Sequence, residues 1–262
     1  MAMKIQIIGA GVVGQATGKG FARLGHDVTF IDLNPHTLAG LQPEFKTVMD
    51  APSEADIYFI CTPEGVVEEA VIGLTTIPIK PYPPIIIRST VPPGTARRLW
   101  RKLKRNILSN PEFLREAVAE YDFLNPPGII IGVDWDNPQA NIDEIRVLYE
   151  PFRRPIHYTN TATAELTKLA VNSYLACQIS YWNQVKLLAD KLGVNSQEVG
   201  MLACFGDGRV SPYGSRMHGK PYGGKCLPKD LLQLMDIGNQ NGVDQPLLLA
   251  IYHINQLMKG VE

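Results

Sequence analysis

The feature that most constrains this chain is a short apolar run that breaks at once into glycines. Lys4-Ile-Gln-Ile-Ile8 reads as a buried strand, and Gly9-Ala-Gly11-Val-Val-Gly14 follows without a spacer. A helical pattern over residues 15–24 closes at Gly25, and a second strand, Asp27-Val-Thr-Phe-Ile31, ends in Asp32. A glycine turn of this spacing, set between two strands with an acid after the second, is the context of a dinucleotide fingerprint. Gly9 permits the tight turn, Gly11 lets a pyrophosphate approach the backbone, and Gly14 lets the helix pack closely on the strand. The helix start at Val12 and Val13 offers N–H groups and the positive end of the helix dipole to the phosphates. Asp32 is placed to accept hydrogen bonds from the adenosine ribose. Its charge would repel a 2′-phosphate, and no Arg or Lys follows in Leu33-Asn34. NAD is therefore expected rather than NADP, on a Rossmann-type doubly wound sheet.

The winding continues. Asp56-Ile-Tyr-Phe-Ile60 runs into Cys61-Thr62-Pro63, and Pro84-Ile-Ile-Ile87 runs into Arg88-Ser-Thr-Val-Pro-Pro-Gly94. Such loops lie where α/β sheets present ligands, beyond the carboxyl ends of the strands. A last strand pair is expected near residues 106–108 and 128–133, and residues 151–155 read as a linker. Between Arg97 and Arg105 lies a helix with six Lys or Arg, read as a solvated face rather than a nucleic-acid patch. The chain as a whole supports that choice: 25 Lys and Arg against 26 Asp and Glu give a net charge of −1, without the field that nucleic acid or an anionic membrane would call for. Apolar residues make up 45%, but no run approaches a membrane span and the amino terminus lacks a signal-peptide pattern. Four cysteines stand far apart without metal-ligand spacing, so no metal is expected. A reduced, cytoplasmic setting is the expectation.

The second half reads differently. Residues 161–192 contain no Pro or Gly, and Gly193 supplies a stop, so a single helix near thirty residues long is expected. Glu165, Lys168 and Asn172 fall on one side of it. They form either a functional row or a surface Glu165–Lys168 ion pair with an incidental Asn. A short helix near residues 195–204 leads into Phe205-Gly-Asp-Gly-Arg-Val-Ser-Pro-Tyr213 and then Gly219-Lys-Pro-Tyr-Gly-Gly-Lys-Cys-Leu-Pro-Lys-Asp230. Gly223-Gly224 permits close approach to a ligand. Pro228 suits the first turn of a helix over residues 228–239, which puts Cys226 just before a helix start, between Lys225 and Lys229. Those surroundings favour a thiolate, the nucleophilic form, and Asp230 lies one turn along. Cys61, Cys177 and Cys204 read as inert. Ser109-Asn-Pro-Glu-Phe-Leu-Arg-Glu116 reads as a helix start with Asn110 as cap and Pro111 in the first turn. It would bring Glu112 and Glu116 to one face, for capping or for acid–base work.

Taken together, Gly9–Gly14, Cys61-Thr-Pro63, Ser89-Thr-Val-Pro-Pro-Gly-Thr95, Ser109–Glu116, Glu165-Leu-Thr-Lys-Leu-Ala-Val-Asn172 and Gly223-Gly-Lys-Cys-Leu-Pro-Lys-Asp230 resemble the UDP-glucose/GDP-mannose dehydrogenase family. The six motifs stand in the family's order over nearly the whole chain. The resemblance implies a four-electron, NAD-dependent oxidation of a sugar primary alcohol to a carboxylate. It implies Cys226 as nucleophile, with Lys168, Asn172 and Asp230 stabilising oxyanions or handling water, and Glu112 as acid–base. It places Gly9, Gly11, Val12, Val13, Gly14, Asp32, Thr62, Pro63, Thr90, Glu116 and Lys229 around the cofactor. Phe113, Leu114, Arg209, Tyr213, Tyr222 and Gly223 fall on the substrate.

The expected architecture is an NAD-binding domain over residues 1–155 and an all-α domain over residues 156–262, built on the long helix and forming a homodimer through it. Segments 33–55 and 64–85 look short for the family. The family's further domain, which binds the donor nucleotide, is not expected within 262 residues. The partner expected is a small molecule, a nucleotide sugar or related alcohol, with no nucleic acid and no membrane. Two other readings stay open: a two-electron hydroxyacid-type dehydrogenase, which needs no thiol, and a non-catalytic NAD-binding subunit.

Overall fold

A computed structural model describes residues 2–49, 52–78 and 82–260. Among the described residues eight strands form one sheet: β1 (Lys4–Ile8), β2 (Asp27–Ile31), β3 (Lys46–Val48), β4 (Ile57–Ile60), β5 (Ile85–Ile87), β6 (Ile107–Ser109), β7 (Ile129–Gly132) and β8 (Ile156–Thr159). The helices of the first half are α1 (Val12–Arg23), α2 (Pro35–Ala39), α3 (Val67–Thr75), α4 (Thr95–Leu103), α5 (Ala119–Leu124) and α6 (Asp143–Tyr149). Those of the second are α7 (Thr161–Leu192), α8 (Ser196–Gly206), α9 (Pro212–Met217), α10 (Cys226–Gln240) and α11 (Pro246–Lys259). The chain divides into two compact units, residues 1–168 and 169–262.

In the first unit the strand order is β3-β2-β1-β4-β5-β6-β7-β8, parallel throughout except for β6 against β7. The order reverses between β1 and β4, the point where doubly wound sheets bind their ligands. Strands covered on both faces should be apolar without alternation, as Ile57–Ile60 and Ile85–Ile87 are. Their side chains still alternate in destination. Ile57, Phe59, Ile86 and Leu108 join Phe21, Phe30, Phe123 and Leu148 on the face covered by α1, α2, α5 and α6. Tyr58, Ile60, Ile85, Ile87 and Ile107 join Val71, Leu99 and Trp100 on the face covered by α3 and α4.

The basic helix is α4. It buries Ala96, Leu99 and Trp100, while its cations divide between two acids. Arg98 and Lys102 lie 2.6 and 2.9 Å from Glu68, and Arg97 and Arg101 lie 2.8 and 3.7 Å from Asp136. The structure thus gives these cations partners within the unit. The expected linker region carries a 3-10 turn over Glu150–Phe152 and then β8, which lengthens the sheet beside β7.

One sequence expectation fails here. Residues 110–115 are not helical, so Glu112 and Glu116 do not share a helix face. Asn110 does not cap a helix start. Its side-chain oxygen accepts from Arg88 and, at 2.5 Å, from the Tyr149 hydroxyl, and its amide donates to the Ile130 carbonyl at 2.8 Å. Bonds to distant residues hold the chain extended past β6, where the local cap and proline signals alone favour a turn of helix.

The second unit is helical. Its core joins Ala176 and Ile179 of α7 to Leu231 of α10, Ile251 of α11 and Tyr222. Asn195 caps α8 by accepting from the N–H groups of Gln197 and Glu198. The stretch 205–213, read from the sequence as loop, ends in α9, capped by Ser211. Helix α10 starts at Cys226, two residues ahead of the position that Pro228 suggests. No described helix is long and apolar enough to cross a membrane.

Candidate active site

The turn between β1 and α1 has glycines for three different reasons. Gly9 lies in the left-handed region at φ +94°, and a Cβ there would come within 2.7 Å of the Cys61 carbonyl group. A Cβ on Gly14 would sit 1.9 Å from the Gly9 oxygen. The fold itself therefore demands both. Gly11 differs: its φ is an ordinary −68°, and a Cβ there would meet nothing within 4 Å. Protein packing leaves that position open, which fits a bound pyrophosphate on the bare backbone. Helix α1 has no side-chain cap, so the N–H groups at Val12 and Val13 remain for an anion.

Asp32 is held from both sides. Its Oδ2 accepts from the Ala10 N–H at 2.7 Å and its Oδ1 from the Asn34 N–H at 2.8 Å. Each oxygen keeps a lone pair for a ribose hydroxyl, so the acid both fixes the glycine turn and fits a nucleoside. Further along the strand ends, the Ser89 hydroxyl donates to the Thr62 carbonyl at 2.6 Å, joining the loop of Thr62 and Pro63 to that of Thr90. The Thr62 hydroxyl is itself buried without a hydrogen-bond partner. Buried hydroxyls seldom stay unsatisfied, so a polar group of the cofactor fits this position as well. Glu116 begins an exposed 3-10 turn.

A buried ion pair lies in the same unit. Lys168 Nζ stands 2.8 Å from Glu112 Oε1, and Glu112 Oε2 accepts from the Leu114 N–H at 2.7 Å. The ammonium also lies 5.6 Å from the centre of the Phe113 ring, itself part-exposed. The Glu165–Lys168 surface pair is thereby overturned, since both residues are buried and each has another partner. Glu165 accepts backbone N–H bonds at the start of α4, and burial pushes its carboxyl up to about 7. Cys61 is equally unsuited to nucleophilic work: burial pushes its thiol up to about 12, against the pull of Arg88.

In the second unit Asp230 is fully buried, and its Oδ2 accepts from the Asn172 amide at 2.5 Å. Lys229 Nζ lies 2.5 Å from Asp230 Oδ1, close enough for an ion pair but too oblique for a hydrogen bond. Cys226 is exposed at the first position of α10, the positive end of a fifteen-residue helix, and Asp230 is one turn further on. Tyr222 contributes its ring to the core, where burial pushes the phenol up to about 12. Gly223 follows it in an open position. Tyr213 is half-buried in the first turn of α9. Arg209 is almost wholly exposed and forks onto Asp207, 2.5 Å away. Three residues that hold the surrounding chain do not stand out in the sequence: Arg88 and Tyr149, which bind Asn110, and Asp134, which accepts from Trp100 and Thr161. All three are buried, but their types and spacing match no motif.

Residues 42–153 match the NAD binding domain of the UDP-glucose/GDP-mannose dehydrogenase family, and residues 162–257 match its central domain. Residues 4–79 also match a family described as NADP oxidoreductase, coenzyme F420-dependent. A UDP-glucose 6-dehydrogenase from Rhizobium meliloti is 32% identical over 95% of this chain and 66% of its own length. One from Rickettsia conorii is 31% identical over 97% of this chain and 67% of its own. The solved structure of a UDP-glucose dehydrogenase from Pyrobaculum islandicum superposes with a TM-score of 0.85 at 26% identity, over 98% of this chain and 68% of that one. The chain spans about two thirds of the length of the curated relatives it matches. With both domain matches in order and relatives above 30% identity, the chain belongs to the UDP-glucose/GDP-mannose dehydrogenase family.

Proposed function

We propose that the protein oxidises a primary alcohol of a nucleotide sugar to a carboxylate, with Cys226 as the covalent nucleophile. The observation that carries this reading is an exposed cysteine opening α10, one turn from a buried acid that a second helix holds by hydrogen bond. NAD supplies the oxidant, once for each of two two-electron steps. The first step takes the alcohol to the aldehyde and releases a proton. The Cys226 thiolate then adds to the aldehyde carbon, and the resulting thiohemiacetal retains the substrate. A second oxidation gives the thioester, and water cleaves it to carboxylate and thiol. The balance is one alcohol, two NAD⁺ and one water to one carboxylate, two NADH and three protons.

Lys168 and Asn172 serve as donors to the oxyanions of these steps, where a fixed ammonium or amide is most effective. Glu112 is the acid–base for hydrolysis, a buried carboxylate 2.8 Å from the Lys168 ammonium proposed to meet the oxyanion. Asp230 fixes Asn172 and is the second candidate for handling water. The protein further acts as a homodimer in the cytoplasm. Tyr174, Tyr181 and Leu188 recur every seven residues along α7 and are all exposed, a stripe suited to a second copy.

Cys226→Ser tests the reading, with UDP-glucose as the first probe and other nucleotide sugars after it. The variant should bind NAD as the parent does, yet make no acid or accumulate a partly oxidised product. Acid formation at the parental rate would remove the thioester route.

A further inference from the structure

The starts of helices α4 and α7 are tied together through two buried acids. The N-cap of α4 is Gly94, at φ 92°, which has no side chain to close the helix start. Helix α7 supplies the cap instead: Glu165 Oε2 accepts from the Gly94 N–H at 2.5 Å and Oε1 from the Ala96 N–H at 2.9 Å. The return contact runs through Asp134, in the segment after β7. Its carboxylate accepts from the Thr161 hydroxyl at 2.7 Å and the Thr161 N–H at 3.3 Å, at the start of α7. It also accepts from the indole N–H of Trp100 on α4, at 3.1 Å. The two carboxylates are 3% and 4% exposed, so a buried acid meets the start of each helix; α7 also has a local cap, Asn160 Oδ1 accepting from the Thr163 N–H at 2.8 Å, whereas α4 has none.

This is an expensive way to cap a helix. An Asn, Ser or Thr at the N-cap would satisfy the same donors without burying a charge. Burial outweighs the amide bonds at Glu165, and Asp134 adds to the cost by repulsion. What a local cap cannot do is fix a second helix. Glu165 also lies one turn before Lys168, the residue that meets Glu112.

We infer that Glu165 is a positioning residue: its carboxylate fixes the register of α7 against α4, so that Lys168 is presented to Glu112. Without it the first turns of α7 can slide or rotate, and Lys168 loses its partner. The inference rests on the proposed oxidation only for its kinetic consequence. The register itself can be read in a protein that turns nothing over.

Two variants test it. Glu165→Ala removes the cap; Glu165→Gln keeps the volume and one acceptor but sets an amide N–H₂ against the second donor. Amine labelling of Lys168 and hydrogen exchange over residues 89–97, both resolved by peptide mass spectrometry, read the register directly. Both should quicken about tenfold or more in Glu165→Ala and less in Glu165→Gln, while β1 and β4 keep their protection. Should Glu165→Ala fail to fold, Glu165→Gln carries the test. Unchanged labelling of Lys168 in a folded variant would overturn the inference. In turnover, Glu165→Gln should lower kcat about tenfold with little change in KM for NAD. In a Lys168→Ala background it should lower kcat no further. Effects that add in the double variant would overturn transmission through Lys168. Absence of turnover in the parent would remove the proposed activity and leave the labelling result standing.

Discussion

Helix α7 carries two buried polar pairs of different kinds. Lys168 meets Glu112 in the first unit, two full charges 2.8 Å apart. Asn172 meets Asp230 in the second, an amide donating to a carboxylate at 2.5 Å. Both pairs are almost wholly shielded from solvent, but they can do different things. An ammonium–carboxylate pair carries a full charge on each partner and responds to charge formed nearby. The amide N–H₂ of Asn172 can only donate, and it carries no net charge. In the proposed mechanism the first pair places a charged donor beside the acid–base, and the second a neutral donor held by its acid.

The pairs should also fail differently. Lys168→Met strands the Glu112 carboxylate in the interior, at a cost of about 3–5 kcal/mol in urea unfolding. Adding Glu112→Leu should restore most of that loss; failure to do so would mean that the pair is not isolated from its surroundings. The neighbouring acid gives the next effect. Glu165 has its folded value raised from 4.5 to about 7, so the folded state holds the proton longer than the unfolded chain. Its contribution is therefore fully present below pH 4.5 and is lost as pH rises through 7, a change on the order of 3 kcal/mol. The stability difference between the parent and Glu165→Gln should follow that pH course, and a flat difference would contradict it.

Asn172→Ala removes one donor from a carboxylate that still has Lys229 beside it, so a loss of about 1.5–3 kcal/mol is expected. A loss matching that of Lys168→Met would erase the distinction between the pairs. The smallest effect belongs to a residue outside both. Gly11→Ala adds a methyl to open space and should change stability by less than about 0.5 kcal/mol. NAD affinity, measured by calorimetry, should nevertheless fall, because that space is where the pyrophosphate fits.

The dinucleotide fold was legible because its signals are local. A buried strand, three glycines and an acid follow one another within the first thirty-two residues, a spacing that can be read before any distant partner is known. The bounds of α7 were legible for the same reason, since Pro and Gly are absent until Gly193. The partners of its side chains were not. Glu165 and Lys168 read as a local pair, but the start of α4 claims one and Glu112 claims the other. Asn110 and Pro111 read as a helix start, but Arg88 and Tyr149 hold Asn110 in an extended chain. Strand β8 was hidden because Ile156-His-Tyr-Thr159 is a half-covered edge with no long apolar run. Residue types disclosed the site, and long-range contacts decided what each residue holds.

The central claim is that one active site carries an alcohol through two oxidations, with Cys226 retaining the intermediate. Counting NADH formed per molecule of nucleotide sugar consumed, beginning with UDP-glucose, tests it most directly. Two NADH and one carboxylate are the expected yield; one NADH with a released aldehyde or ketone would contradict it.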